Sequence, residues 1–507
     1  MLKELLRRKA TKDLTAEAGG AEHHLKRALG AVDVTALGIG AIIGAGIFAT
    51  IGTAAAGDLS RPGAGPGLIL SFILTAIACG FAALCYAEFA AMIPASGSAY
   101  TYAYATLGEF VAWIIGWDLI IEYAVGNVAV AISWANYFKT LAAGFGIVIP
   151  DWLSTDYRTA ARIPGLLENA PHVLGIPIVF NLLAFGIVAL ITILLIIGVR
   201  ESAKVNSLMV MLKLIILGFF VTVGWAYMQG DNFQPFLPNG WAGVHSGAAI
   251  VFFAYIGFDA VSTVAEETKD PARNLPIGII ASLVISTLVY ILVAAVFIGM
   301  VPFDVLKQKL ATEQAEPLTM ALQYADLGAW KNLFVGIVAF GSVVAHTAVL
   351  LVFQLGQTRI FYSMARDGLL PQSFASVHPR FRTPHVSTIL TGVAVGACAM
   401  FASIDEMVDL TNIGTLFAFA LVCIGVWVLR KREPERARAF KTPWMPVVPI
   451  LGVLSCGYLI LGLPWITWVR FALWLLVGMV VYFFYGFRRS RLARSGAVSE
   501  DTSLATE

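Results

Sequence analysis

Twelve stretches of this chain are apolar for about the 20 residues that a helix needs to cross a bilayer core, and short polar segments rich in proline, glycine and charge separate them. They run from Ala31 to Ala55, Pro66 to Met92, Leu107 to Leu141, Ile176 to Val199, Ser202 to Met228 and Trp241 to Ala265. The series continues with Ile277 to Val301, Asn332 to Tyr362, Val386 to Phe401, Met407 to Leu429, Val447 to Leu463 and Trp465 to Phe487. With 58% apolar and 13% charged residues among 507, the composition excludes a soluble protein, and a formal net charge of +2 excludes a nucleic-acid binder that works through bulk charge. The expected fold is an all-α integral membrane protein of twelve transmembrane helices.

The side that takes the N-terminus, the even-numbered loops and the C-terminus carries 25 Lys and Arg, against eight on the other, with Lys213 inside a helix. Basic loops stay in the cytoplasm, so both termini are expected there, with the protein in the cell membrane. In residues 1–30, Leu2, Leu5 and Leu6 beside Lys3, Arg7, Arg8 and Lys9 make either an interfacial amphipathic helix or a basic tail. Residues 490–507 read as a disordered tail. The first apolar run follows thirty polar residues and is too long and glycine-rich for the core of a signal peptide. Cys79, Cys85, Cys398, Cys423 and Cys456 show no metal or disulfide spacing and read as buried thiols.

Two segments depart from a plain apolar helix. The first holds Gly38, Gly40, Gly44 and Gly46, with no preceding strand and the wrong spacing for a dinucleotide fingerprint. Gly40 and Gly44 suit close helix packing. Alternatively, Gly44-Ala45-Gly46 breaks the helix and leaves N–H groups of its second half unpaired at mid-depth, where they bind a carboxylate. The sixth segment holds Gly257 and Asp259 in Phe253-Ala254-Tyr255-Ile256-Gly257-Phe258-Asp259. Interruptions in corresponding positions, first and sixth, point to an inverted five-plus-five repeat with its site at the crossing. The repeats would span 31–228 and 229–430, with helices eleven and twelve over 431–489. The N–H groups after Ala45 would hold an anionic head group, and freed carbonyls at Ile42, Phe253 and Ile256 a cation. An α-amino acid carries both charges. Ile43, Gly44, Gly46 and Ala254 complete the two breaks.

A charge at the bilayer centre costs about 2.5–3.5 kcal/mol on insertion scales, so each one needs a reason. Lys213 lies about thirteen residues inside the fifth segment. Facing the carbonyls of the first break, its ammonium replaces a metal cation and couples a proton to conformation; otherwise it is a constant structural ion pair. Glu122 and Asp259 would relay a proton or neutralise a cationic substrate, Glu122 being equally well a structural carboxyl. Asp118 reads as a wet helix face, and His346 as a helix-to-helix hydrogen-bonding group. Phe253 is either a movable gate ring or simple packing.

These residues also resemble a family. Gly38 to Phe48, Tyr86-Ala87-Glu88-Phe89 with Pro94 to Tyr104, and Gly116-Trp117-Asp118 with Glu122-Tyr123 occur in order with Phe253 to Asp259, Glu266-Glu267-Thr268, Arg366 to Pro371 and Phe440-Lys441-Thr442-Pro443. The set is similar to bacterial members of the cationic amino acid transporter group, within the amino acid, polyamine and organocation transporter superfamily. The resemblance covers Leu25 to about Phe487. It implies the broken-helix five-plus-five fold, the substrate carboxylate on N–H groups at Ala45 and Gly46, and its ammonium on carbonyls of Ile42, Phe253 and Ile256. It also implies Phe253 at the outer gate and Lys213 in place of sodium. The vertebrate members carry fourteen helices and this chain twelve, so strict cationic specificity does not transfer.

The expected function is proton-coupled import of L-amino acids by alternating access, without cofactor or metal. Partners are the amino acid, protons and the lipid bilayer, with no nucleic acid; accessory subunits are left open. The rivals are a proton-independent amino acid or polyamine exchanger and an amino acid sensor that does not translocate. An enzyme is not expected, because no Ser/His/Asp, HExxH or GxSxG constellation occurs.

Overall fold

The structure, a computed structural model, describes residues 7–8, 28–58, 60–93, 98–198, 203–312 and 316–492. The N-terminal amphipathic segment and the tail beyond Leu492 lie almost wholly outside the described residues. Among these residues, nine helices are long and apolar enough to cross a membrane, and three shorter apolar helices make the set twelve. They are α1 (Ala31–Ala56), α2 (Gly65–Met92), α3 (Glu109–Gly144), α4 (Leu182–Ile197), α5 (Ser207–Trp225) and α6 (Gly240–Ala265). Then come α7 (Pro271–Met300), α8 (Gly328–Arg366), α9 (His385–Phe401), α10 (Ile404–Arg432), α11 (Val447–Leu461) and α12 (Trp465–Arg489). The protein is a multi-pass membrane protein.

The three short helices have local causes. Ile176 and Pro177, expected to open α4, instead pair with His172 and Val173 as a small antiparallel hairpin, with Leu174 and Gly175 at positive φ in its turn. The helix starts only where the Asn181 side chain accepts from Ala184 N. Pro384 and Pro446 stand immediately before α9 and α11 and set their starts.

Packing follows the expected repeat. Helix α2 lies along α7, α3 along α8, and α4 along α9, while α1 touches α6 at both interrupted regions and runs beside α5 and α7. The pairs α1–α6, α2–α7, α3–α8 and α4–α9 each join helix n to helix n + 5, the helices that correspond in a five-plus-five repeat. Four of the five cysteines are buried; Cys398 instead faces outward from α9, because a thiol on a lipid-facing helix surface need not be covered.

Both described chain ends meet on one face. Glu109 N, at the start of α3, donates to Arg7 O at 2.8 Å, and Glu109 also accepts from Ser490 Oγ beyond α12. Ser490 is fully buried, so packed chain continues past residue 489. On the same face, Glu88 of α2 accepts from Arg430 Nε and Nη2 at 2.7 and 2.8 Å and from Thr442 N at 2.7 Å. This bidentate pair ties the two motifs Tyr86 to Phe89 and Phe440 to Pro443 together across the end of α10.

Candidate functional site

The glycine-rich run of α1 does break the helix. An α-helix covers Ala31–Ile42, Ile43 turns extended with ψ 99°, and the chain resumes as a π-helical turn over Gly46–Thr50 before Ile51–Ala56. The first N–H groups of the second half, around Ala45 and Gly46, have no preceding helical turn to accept from them. In α6, the helix Gly240–Val251 tightens to 3₁₀ over Phe252–Tyr255, Ile256 is extended, Gly257 has φ +120°, and a 3₁₀ stretch follows from Asp259.

Glycine fixes how close the two breaks lie. A Cβ on Gly46 would overlap Ala254 Cα, and one on Gly257 would stand 2.8 Å from the carbonyl carbon and oxygen of Ala41. A Cβ on Gly44 would run into Val349 of α8. The expected substrate-site residues of α1 and α6 therefore meet part-way along the two helices, and Phe253 is buried.

Two side chains tie these breaks to neighbouring helices. Lys213 Nζ donates to Gly40 O at 2.7 Å and Ile43 O at 3.0 Å, and the lysine is fully buried. Among the described residues no carboxylate forms a salt bridge with it, and the carbonyls of the break are its hydrogen-bond partners. Tyr290 of α7 donates its hydroxyl to Ile42 O at 2.9 Å and to Ala254 O at 2.8 Å, one proton shared between carbonyls of both breaks. Sequence reasoning missed this tyrosine, since a phenol in an apolar helix carries no local signal. Ile42 O, an expected ammonium acceptor, thus has one lone pair engaged and one left. Farther along α1, Tyr137 donates to Phe48 O at 2.7 Å.

The carboxylates form a separate group. Glu122 sits in a π-helical turn of α3, Ile121–Val125, a feature that often marks functional sites. It is fully buried with neither oxygen hydrogen-bonded among the described residues, and Asp259 is its electrostatic neighbour. Asp259 Oδ2 accepts from Tyr123 at 3.2 Å. Asp118 is not on a wet face: it is buried against Gly414 of α10. His346 is bonded on both ring nitrogens, to Ser133 Oγ at 2.7 Å and Ser342 O at 2.6 Å, and links α8 to α3. Lys213 thus bonds carbonyls of the first break, while Asp259 bonds Tyr123.

A family model described as amino acid permease matches residues 29–486, a range that takes in both breaks and all twelve helices but the last three residues of α12. The chain belongs to the amino acid permease family. The permease is 48% identical to the branched-chain amino acid permease BcaP of Bacillus subtilis, over 96% of this chain and 99% of that protein. It is 43% identical to a methylthioribose transporter of the same organism, over 97% of this chain and 100% of the relative. It is 36% identical to the vacuolar cationic amino acid transporter 4 of Arabidopsis thaliana, over 86% and 68% of the two chains. These relatives are named as transporters or permeases, not as enzymes.

Proposed function

We propose that this permease imports neutral L-amino acids, branched-chain ones in particular, together with protons, by alternating access. Both termini lie in the cytoplasm on this reading, which the charge asymmetry of the loops supports. The substrate carboxylate binds N–H groups at Ala45 and Gly46, and its ammonium binds carbonyls of Phe253 and Ile256 and the free lone pair of Ile42, with Phe253 as outer gate. Val349 against Gly44, and Ile43 beside it, give the side-chain space an aliphatic wall. The likeness to BcaP supports that preference.

The observation that carries the coupling is the Lys213 ammonium on Gly40 O and Ile43 O. A charged donor bonds a carbonyl more strongly than a neutral amine does, so gain or loss of one proton changes the grip on the first break. Asp259, bonded to Tyr123, with Glu122 as its electrostatic neighbour, offers the proton a second station. Purified protein in liposomes tests this. An acid-outside gradient should drive accumulation of labelled leucine, and a protonophore should abolish it. Uptake indifferent to the gradient refutes the coupling and favours exchange; binding without translocation marks a sensor. The likeness to a methylthioribose transporter supports a second reading, a neutral thiosugar substrate, and strong competition by methylthioribose against weak competition by leucine would select it.

A further inference from the structure

On the face opposite the chain ends, residues 57–58 and 60–64 belong to the connection from α1 to α2. This connection is clipped to the broken helices: Ala64 N donates to Ala54 O at 2.9 Å, and Asn239 Nδ2, at the start of α6, donates to Gly63 O at 2.8 Å. It carries Arg61, whose charged group is nearly inaccessible. Arg61 Nε donates to Asp58 Oδ2 at 2.8 Å within the connection. Its other two nitrogens reach Asp409 of α10, Nη2 donating to Oδ2 at 3.1 Å and Nη1 lying 2.8 Å from Oδ1 in a bent contact. Asp58 is itself fixed by Ser60 N and Oγ at 2.7 and 2.6 Å, so the guanidinium is aimed before it meets α10.

Two further residues on the same face of α10 reach the broken helices. Asp405, one turn before Asp409, is in weak contact with Thr53 Oγ1 at 3.4 Å, and Asn412 Nδ2 donates to Ala249 O and Ile250 O of α6 at 2.8 and 3.2 Å. Beneath Arg61 lies a cavity of about 20 Å³, room for one water, lined by Thr50, Thr53, Arg61, Ile250, Asp405 and Val408. Thr50 bonds Gly46 O at 2.6 Å, so the cavity lies directly beside the second half of broken α1. It lies between Arg61 and the second half of broken α1.

We propose that the Arg61–Asp409 pair is the outer lock of the transport path, closed over the site and parted when substrate enters. This rests on the alternating-access reading above. A pair of charges suits a lock because both partners regain full hydration once water enters between them, whereas parted apolar surfaces do not. Asn412, bonding carbonyls one turn deeper, keeps α10 in register with α6 as the pair opens.

The test uses the full-length protein in liposomes, with Ala49→Cys beside the cavity and a membrane-impermeant maleimide added outside. With the pair intact, labelling should be slow. Arg61→Gln and Asp409→Asn should each speed it roughly tenfold, and the double variant no further, because either loss opens the same lock. Wild-type labelling rates in both folded single variants, or rates that multiply in the double, overturn the proposal. So does a large fall in thermal unfolding midpoint with labelling unchanged, which marks a structural pair only. Labelling needs neither a proton gradient nor the right substrate, so its outcome is separate from that of the uptake experiment.

Discussion

Replacing Lys213 by methionine isolates the role of its charge. Methionine keeps most of the side-chain volume and removes both hydrogen bonds to the first break, at 2.7 and 3.0 Å. A charged donor contributes about 1.5–3 kcal/mol per bond, so the break loses about 3–6 kcal/mol of local hold. Against this stands the cost of about 2.5–3.5 kcal/mol for placing a lysine deep in a membrane, which methionine does not incur. The saving offsets about half or more of the loss, leaving a net change from about zero to 3.5 kcal/mol, so Lys213→Met should still fold, with an unfolding midpoint at or below that of the wild type. Coupling has no such offset, because the methionine has no proton to exchange. The expected result is counterflow of labelled leucine retained within roughly tenfold, while accumulation driven by an acid-outside gradient disappears and uptake becomes flat between about pH 5.5 and 8. Lys213→Arg is the complementary variant: a guanidinium cannot release its proton, so binding should persist and turnover stop. A Lys213→Met protein that folds and keeps the wild-type pH profile of gradient-driven uptake refutes the reasoning.

Gly257→Ala should abolish binding and lower the unfolding midpoint by several degrees, since φ +120° is strained for alanine and its Cβ meets the Ala41 backbone; Gly80→Ala on α2, with open space around it, should change neither. Tyr290→Phe keeps the ring and loses the shared hydroxyl, so the KM for uptake should rise by about two- to tenfold with the pH profile unchanged, and an unaltered KM would deny the tyrosine any part in shaping the breaks. Glu316 precedes the helix Pro317–Tyr324 between α7 and α8, and burial pushes its carboxyl up to about 7, against the hydrogen bond from Thr140. A raised value means that the folded state holds the proton more tightly than the unfolded one. The resulting stability is complete below the ordinary value of 4.5 and is lost as pH rises through about 7. The unfolding midpoint of the wild type should therefore fall relative to Glu316→Gln between about pH 5 and 8, and parallel curves would disprove the shift.

The membrane spans were legible because burial in lipid leaves an unbroken apolar run, and the breaks were legible because Gly257 and Asp259 have no reason to interrupt one. Boundaries failed where a local device outranked hydropathy, as at the hairpin His172 to Pro177, whose apolar Ile176 looked like the start of α4. The ties were invisible for a different reason. Tyr290 is one apolar-helix residue among many, and Arg61 and Asp409 stand 348 positions apart, so nothing local marks their pairing. Substrate choice is harder still to read. If the site grips its ligand through peptide groups at Ala45, Gly46, Phe253 and Ile256, the side chains at those positions are constrained by packing, with Gly46 forced by Ala254 and Gly257 by Ala41. The same skeleton then serves any small ligand presenting an acceptor to the N–H end and a donor to the carbonyl end. Relatives named for branched-chain amino acids and for methylthioribose, at 48% and 43% identity, are what such a site leads one to expect. On that proposal discrimination falls to neighbouring side chains, among them Val349, which packs against Gly44. On the proposed mechanism Val349→Ala should therefore widen the range of amino acids that compete with leucine, while the pH dependence of uptake, which that mechanism assigns to Lys213, stays as it was.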